Sequence, residues 1–151
     1  KNMKINYKPM KKFSNKISVE SLQRISIPEG DVLKFHNIND KSFSNFGEAY
    51  FSFIKKGAIK SWKKHTKVTS NLVVPYGRVR FVFFDGIDNF HQEILDDATN
   101  KKLIVKPGLW FGFKGLNYPH SVIMNLIDEV HDPDESEKMN SQDIDYDWNK
   151  E

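Results

Sequence analysis

The chain has 151 residues, of which 23 are basic and 20 acidic, and it contains no cysteine. At 38% hydrophobic and 13% aromatic it reads as one globular domain, long enough to bury a core. Disulfides, thiolate catalysis and cysteine-ligated zinc are excluded, and no stretch approaches the ~18 apolar residues of a membrane span.

The formal charge of +3 is unevenly spread: lysine dominates before Gly57 and over Lys60–Lys67, and the chain turns acidic after Leu126. The surplus is too small for a nucleic-acid binder, whereas a diphosphate needs only a few cations. The basic amino terminus has no long apolar run behind it, which predicts a cytoplasmic protein.

Residues 1–16 are rich in lysine and asparagine without a period and are expected to form a flexible or appended arm. A single domain is expected over 17–151. Ser21–Ile27 alternates apolar and polar as a half-buried strand does, Pro28–Asp31 is a turn, and Val32–Phe35 is the returning strand. Strands follow at Ala49–Ile54, Ala58–Lys64, Asn71–Val74 and Arg78–Phe84, the last ended by Asp85-Gly86. Gln92–Leu95, Lys102–Val105, Leu109–Phe113 and Val122–Ile127 complete a series of short strands punctuated by Gly and Pro, which indicates a β-sandwich or barrel. The acidic stretch Asp128–Gln142 is expected as loop or helix, and Ile144–Trp148 as a segment that packs back onto the barrel.

One spacing stands out. Gly57, Lys63, His65, Ser70 and Gly77 follow the first cupin motif, glycine–x5–His–x–His–x4–Glu–x6–glycine, and Lys106–Phe111 takes the place of the second. The glycines fit turns that need unusual backbone angles. The metal ligands are replaced: Lys63, Ser70 and Phe111 stand where two histidines and a glutamate are expected, and only His65 remains. One imidazole beside an ammonium cannot hold a divalent ion against water, so no metal is expected there.

Over Ser21–Trp148 the chain resembles the dTDP-4-dehydrorhamnose 3,5-epimerases and the related dTDP-sugar 3,4-ketoisomerases, which are cupins. Phe46–Tyr50, Lys56–Trp62, Lys106–Phe113 and the closing segments Asp132–Glu135 and Asp145–Trp148 carry the likeness. The resemblance implies an all-β cupin, a double-stranded β-helix or jelly-roll barrel, working without metal or organic cofactor. It also implies a homodimer and a nucleotide-sugar substrate for surface polysaccharide synthesis. The chain departs from the epimerases at three places: Lys63 matches their catalytic histidine, Asn125 or Met124 their tyrosine acid, and Lys60 their substrate-holding arginine. His65 matches the second histidine of the ketoisomerases.

Removing a proton next to a carbonyl needs a base near neutral pH and a group that stabilises the enolate. His65 suits the first task, and Lys63, charged or neutral, suits either. Residues 61, 63 and 65 share one face of a strand, so Lys63 and His65 point the same way. The plain alternative for this run is a solvated basic edge. Lys60, Arg80, Asn125 and Trp110 are candidate substrate contacts: Lys60 and Arg80 for the diphosphate, Trp110 for stacking, Asn125 from its alignment. The tail carboxylates read as ordinary solvated charge. The sequence therefore points to an epimerase or ketoisomerase acting on a nucleoside-diphosphate 4-keto-6-deoxyhexose, with His65 and Lys63 catalytic. A non-catalytic cupin that binds a sugar nucleotide, or serves as a partner subunit, is the alternative.

Overall fold

A computed structural model describes Phe13 and residues 15–150. The expected arm, 1–16, lies almost entirely outside those residues. Among the described residues twelve strands form: β1 Ile17–Ser21, β2 Arg24–Ile25, β3 Val32–Leu33, β4 Glu48–Lys55, β5 Ile59–His65, β6 Ser70–Tyr76, β7 Arg78–Phe84, β8 Phe90–Asp96, β9 Lys101–Val105, β10 Trp110–Gly115, β11 His120–Ile127 and β12 Ser136–Lys138. Two short 3-10 turns, Pro133–Glu135 and Ser141–Asp143, flank β12.

The strands make two five-stranded antiparallel sheets, ordered β1-β9-β6-β11-β4 and β12-β5-β10-β7-β8, with β2 and β3 as a separate hairpin. This is the all-β cupin barrel that the strand spacing and the motif predicted. Period-two patterning sets which side chains face inward. Along β11, Ser121, Ile123, Asn125 and Ile127 are buried while the residues between them are half-buried. The inner faces enclose a core of Ile54, Leu72, Val74, Phe81, Phe83, Leu103 and Ile123.

Strand β7 (RVRFVFF) is buried on both faces. Its inward Val79, Phe81 and Phe83 belong to the barrel core. Its outward Val82 lies under Trp62, Ile144 and Trp148, so the segment expected to pack back onto the barrel does so. Burying each such side chain is worth about 1.5–3 kcal/mol, which makes the carboxy-terminal strap an integral part of the fold.

Two expectations are corrected. Ser21–Ile27 is not one strand: β1 begins at Ile17, pairs along β9 and ends at Ser21, and Arg24–Ile25 pairs instead with β3. The tail is not simply loop or helix. Ser136–Lys138 pairs with His65–Lys63, because β5 would otherwise leave one row of backbone groups unpaired. At the motif turns Gly57 and Gly108 have φ of +81° and +102°, where a side chain is strained.

Candidate functional site

A cavity of about 520 Å³ opens where β4, β5 and β10 meet the segment from His131 to Met139. Tyr50, Lys60, Lys63, His65 and Phe111 are among its walls. A β-bulge arranges the lysines. Phe111 pairs with Lys63 and Phe113 with Lys60, so Ser61 and Trp62 together oppose Gly112. A Cβ on Gly112 would stand 2.5 Å from Cβ of Ser61, so only glycine admits this approach. The extra residue puts Lys60 and Lys63, three apart in sequence, on the same inner face. It also sends Trp62 to the outer cluster. The Lys60 ammonium donates to the Phe53 carbonyl at 2.9 Å and lies over the Phe113 ring. No hydrogen bond or ion pair engages the Lys63 ammonium among the described residues.

His65 is buried at the end of β5, with Nδ1 2.6 Å from Oε1 of Glu135. The other oxygen of Glu135, Oε2, accepts from the backbone amides of Thr66, Lys67 and Val68 at 2.8, 2.9 and 3.2 Å. Burial works against the carboxylate charge. The Lys67 amide, the His65 ring and the remaining amides outweigh it and hold the Glu135 pKa at about 2. Burial also lowers the pKa of His65, against the raising effect of Glu135. At neutral pH the imidazole is therefore neutral. With Nδ1–H donated to an ionised carboxylate, the free lone pair sits on Nε2.

Tyr50, on β4, stands directly across from Asn125 on β11. The Asn125 amide Nδ2 donates to the phenol oxygen at 2.9 Å. Burial raises the Tyr50 pKa, helped by Glu48 and opposed by the Asn125 hydrogen bond, so the phenol stays protonated. Lys63 is lowered by burial and by Lys138, against Glu135.

Of the sequence candidates, Lys60, Lys63 and His65 line one cavity; Lys63 and His65 share a face as expected, but the bulge takes Ser61 out of that alternation, and its hydroxyl donates to Oγ of Ser141 at 2.9 Å. The solvated-edge alternative describes Lys64, which faces outward over Trp110 and pairs with Glu137 at 2.8 Å, and the exposed Thr66 and Lys67 beyond the strand end. Asn125 stands behind Tyr50 rather than on the wall. Arg80 and Trp110 do not belong with the cavity. Both alternate away from the inward positions of their strands, and Trp110 packs in the outer cluster. Arg80 is buried there with Nη1 donating to the Trp148 carbonyl at 3.0 Å.

Glu135 and Tyr50 were not singled out from the sequence. Glu135 looked like one more tail carboxylate, and the signal available was its place beside Pro133 in the closing segment. Tyr50 lay inside the matched stretch Phe46–Tyr50 without a partner to mark it. No cluster of three or more His, Asp or Glu placed to hold a metal occurs among the described residues. No helix among them is long and apolar enough to cross a membrane.

The fold is a cupin of the type found in dTDP-sugar isomerases and dTDP-4-dehydrorhamnose 3,5-epimerases. The chain is similar to the dTDP sugar isomerase of Desulfovibrio desulfuricans G20, with 27% identity over 88% of this chain and 90% of that one, at a TM-score of 0.82. The dTDP-4-dehydrorhamnose 3,5-epimerase of Sulfolobus tokodaii shares the fold at 20% identity and a TM-score of 0.74, covering 86% of this chain and 80% of that one. The sugar 3,4-ketoisomerase QdtA of Thermoanaerobacterium thermosaccharolyticum, solved in complex with TDP, shares it at 17% identity and 0.73, covering 84% and 90%. No protein-family model and no curated protein sequence matches the chain.

Proposed function

We propose that this protein is a sugar-nucleotide epimerase or ketoisomerase that moves a proton next to the keto group of a nucleoside-diphosphate 4-keto-6-deoxyhexose. The observation that carries the reading is the His65–Glu135 pair on the wall of a cavity that also holds the protonated Tyr50. Glu135 fixes the ring and its tautomer and stabilises the imidazolium formed when Nε2 takes the proton. Such general-base catalysis contributes typically ~10²–10⁴-fold. Tyr50 supplies a proton or a hydrogen bond to the developing alkoxide. Lys60 and Lys138 give the walls the positive charge that a diphosphate requires. A mutant of the same ketoisomerase has been solved with TDP-4-keto-6-deoxyglucose, a ligand of the proposed class.

The proposal extends to the setting: a single cupin domain over 17–151, cytoplasmic, supplying sugars for surface polysaccharide, and assembled as a homodimer. The dimer reading draws on the outer face of the first sheet. There Phe51, Phe53 and Tyr76 are 61%, 60% and 47% exposed, an apolar surface of the kind that marks an interface.

The test is incubation with nucleoside-diphosphate 4-keto-6-deoxysugars in deuterated water, followed by proton NMR and mass spectrometry. Deuterium is expected at a carbon next to the ketone, and the His65→Asn variant is expected to lose it while staying folded. Binding without exchange in any member of the panel overturns the enzymatic reading in favour of a non-catalytic sugar-nucleotide cupin.

A further inference from the structure

Among the described residues, two amines on the cavity wall, those of Lys63 and Lys138, have no hydrogen bond or ion pair. Lys60 is committed to the Phe53 carbonyl at 2.9 Å and to the Phe113 ring, but the Lys63 ammonium has no hydrogen bond or ion pair among the described residues. Lys63 pairs directly with Phe111 on one side and with Lys138 of β12 on the other. Like charges directly opposite across a strand pair are destabilising, and an aromatic neighbour gives an ammonium no acceptor of the kind it finds in water. Both circumstances favour the neutral amine, and the lowered pKa agrees with them. A lysine desolvated beside another cation is a nucleophile towards carbonyls. His65 lies two residues along on the same face, so amine and base face the same cavity.

We propose that Lys63 is a covalent catalyst: its Nζ condenses with the ketone of the sugar, and the resulting imine accepts the electrons released when His65 removes the neighbouring proton. The inference rests on the reading of this cavity as the site of proton transfer. The Nζ lone pair attacks the carbonyl carbon, a C–N bond forms, and the oxygen takes a proton from Tyr50. Water leaves and an iminium remains. Nε2 of His65 takes the proton from the adjacent carbon, and its electrons move to the iminium nitrogen as an enamine. A proton from solvent, delivered to that carbon from the other face, restores the iminium, and the His65 imidazolium returns its proton to solvent. Water then adds, the C–N bond breaks, the proton released returns to the Tyr50 phenolate, and the epimerised ketone leaves with the amine regenerated. One water is released and one consumed, and no oxidant or reductant is needed.

The test treats the full chain with TDP-4-keto-6-deoxyglucose and sodium cyanoborohydride near neutral pH, where imines are reduced in preference to ketones. Intact mass and peptide mapping are expected to show one reduced sugar-nucleotide adduct, on Lys63. The Lys63→Arg variant keeps a long hydrogen-bond donor in place and lacks the nucleophile. It is expected to form no adduct and to exchange deuterium ~100-fold more slowly, with its melting temperature and TDP binding retained. A second readout is oxygen: in ¹⁸O-labelled water each imine cycle exchanges the ketone oxygen, so the wild type is expected to accelerate that exchange and the variant not. Deuterium exchange without an adduct, with full activity in Lys63→Arg, overturns this inference and leaves the proton-transfer reading standing. An adduct spread over Lys60 and Lys138 also overturns it. Absence of deuterium exchange despite TDP binding overturns the proton-transfer reading, and the inference with it.

Discussion

Tyr50 and Asn125 face each other across the β4–β11 pair, and the amide Nδ2 of one donates to the phenol oxygen of the other at 2.9 Å. The sequence resemblance matches Asn125, or Met124 beside it, to the tyrosine acid of the epimerases. Here the phenol lies one strand over, still on the cavity wall. Because Nδ2 uses a lone pair of the phenol oxygen, the hydroxyl hydrogen is free to be donated into the cavity. Replacing Tyr50 with phenylalanine is expected to lower deuterium exchange about 10–100-fold with little change in melting temperature. Unchanged exchange in Tyr50→Phe removes the tyrosine from the mechanism.

The pH dependence follows from the His65–Glu135 pair. Burial lowers the His65 pKa below 6.5. kcat/KM should therefore rise with pH along an acid limb below 6.5 and be flat at neutral pH. Glu135 raises the His65 pKa, so the Glu135→Gln variant should move that limb to lower pH while its plateau drops. A limb that stays put, or moves up, contradicts this assignment. The pH–rate profiles of the two proteins measured side by side decide it.

The same carboxylate contributes to stability. Its pKa falls from 4.5 to about 2 on folding, equivalent to about 3 kcal/mol. A depressed carboxyl pKa gives stability that is present above the unfolded value and lost as pH falls through the folded one. Glu135→Gln should thus be less stable than wild type at pH 6, and the two should converge near pH 2. Urea titrations at several pH values measure the difference. A gap independent of pH assigns the loss to packing instead.

Arg80 acts through the strap. Its guanidinium holds the Trp148 carbonyl at 3.0 Å in the outer cluster, away from the cavity. Arg80→Met is expected to cost about 1–2 kcal/mol by thermal denaturation and to leave nucleotide-sugar affinity unchanged. A fall in affinity without a fall in stability would restore the sequence-based role.

Sedimentation tests the dimer. The double substitution Phe51→Asp and Phe53→Asp charges the exposed face of an edge strand without touching the core. A monomer with normal melting behaviour is the expected result. A wild type that is already monomeric rejects the homodimer.

Much of the fold was legible in the chain. Arg78–Phe84 was delimited as a strand residue for residue, because five β-prone residues in the seven between Gly77 and Asp85-Gly86 leave little choice. The cupin spacing located Lys63 and His65 on one face, since a strand alternates with period two. The same period holds for Arg80 and Trp110 but does not tell which face of their strands meets the cavity. Strands β7 and β10 are covered on both sides, so an arginine on a buried strand could face either the cavity or the strap. Lys60 entered the cavity only through the bulge opposite Gly112, which shifts the alternation by one.

The sequence by itself determined the strand series, the turns, the absence of thiol chemistry and the loss of the cupin metal ligands, because each depends on residue identity and short spacing. Tertiary structure alone decided that Glu135, 70 positions along the chain, orders His65, and that Tyr50 meets Asn125. Such pairings are set by which strands become neighbours, and strand order is a property of the whole sheet, where burial and backbone pairing are satisfied together.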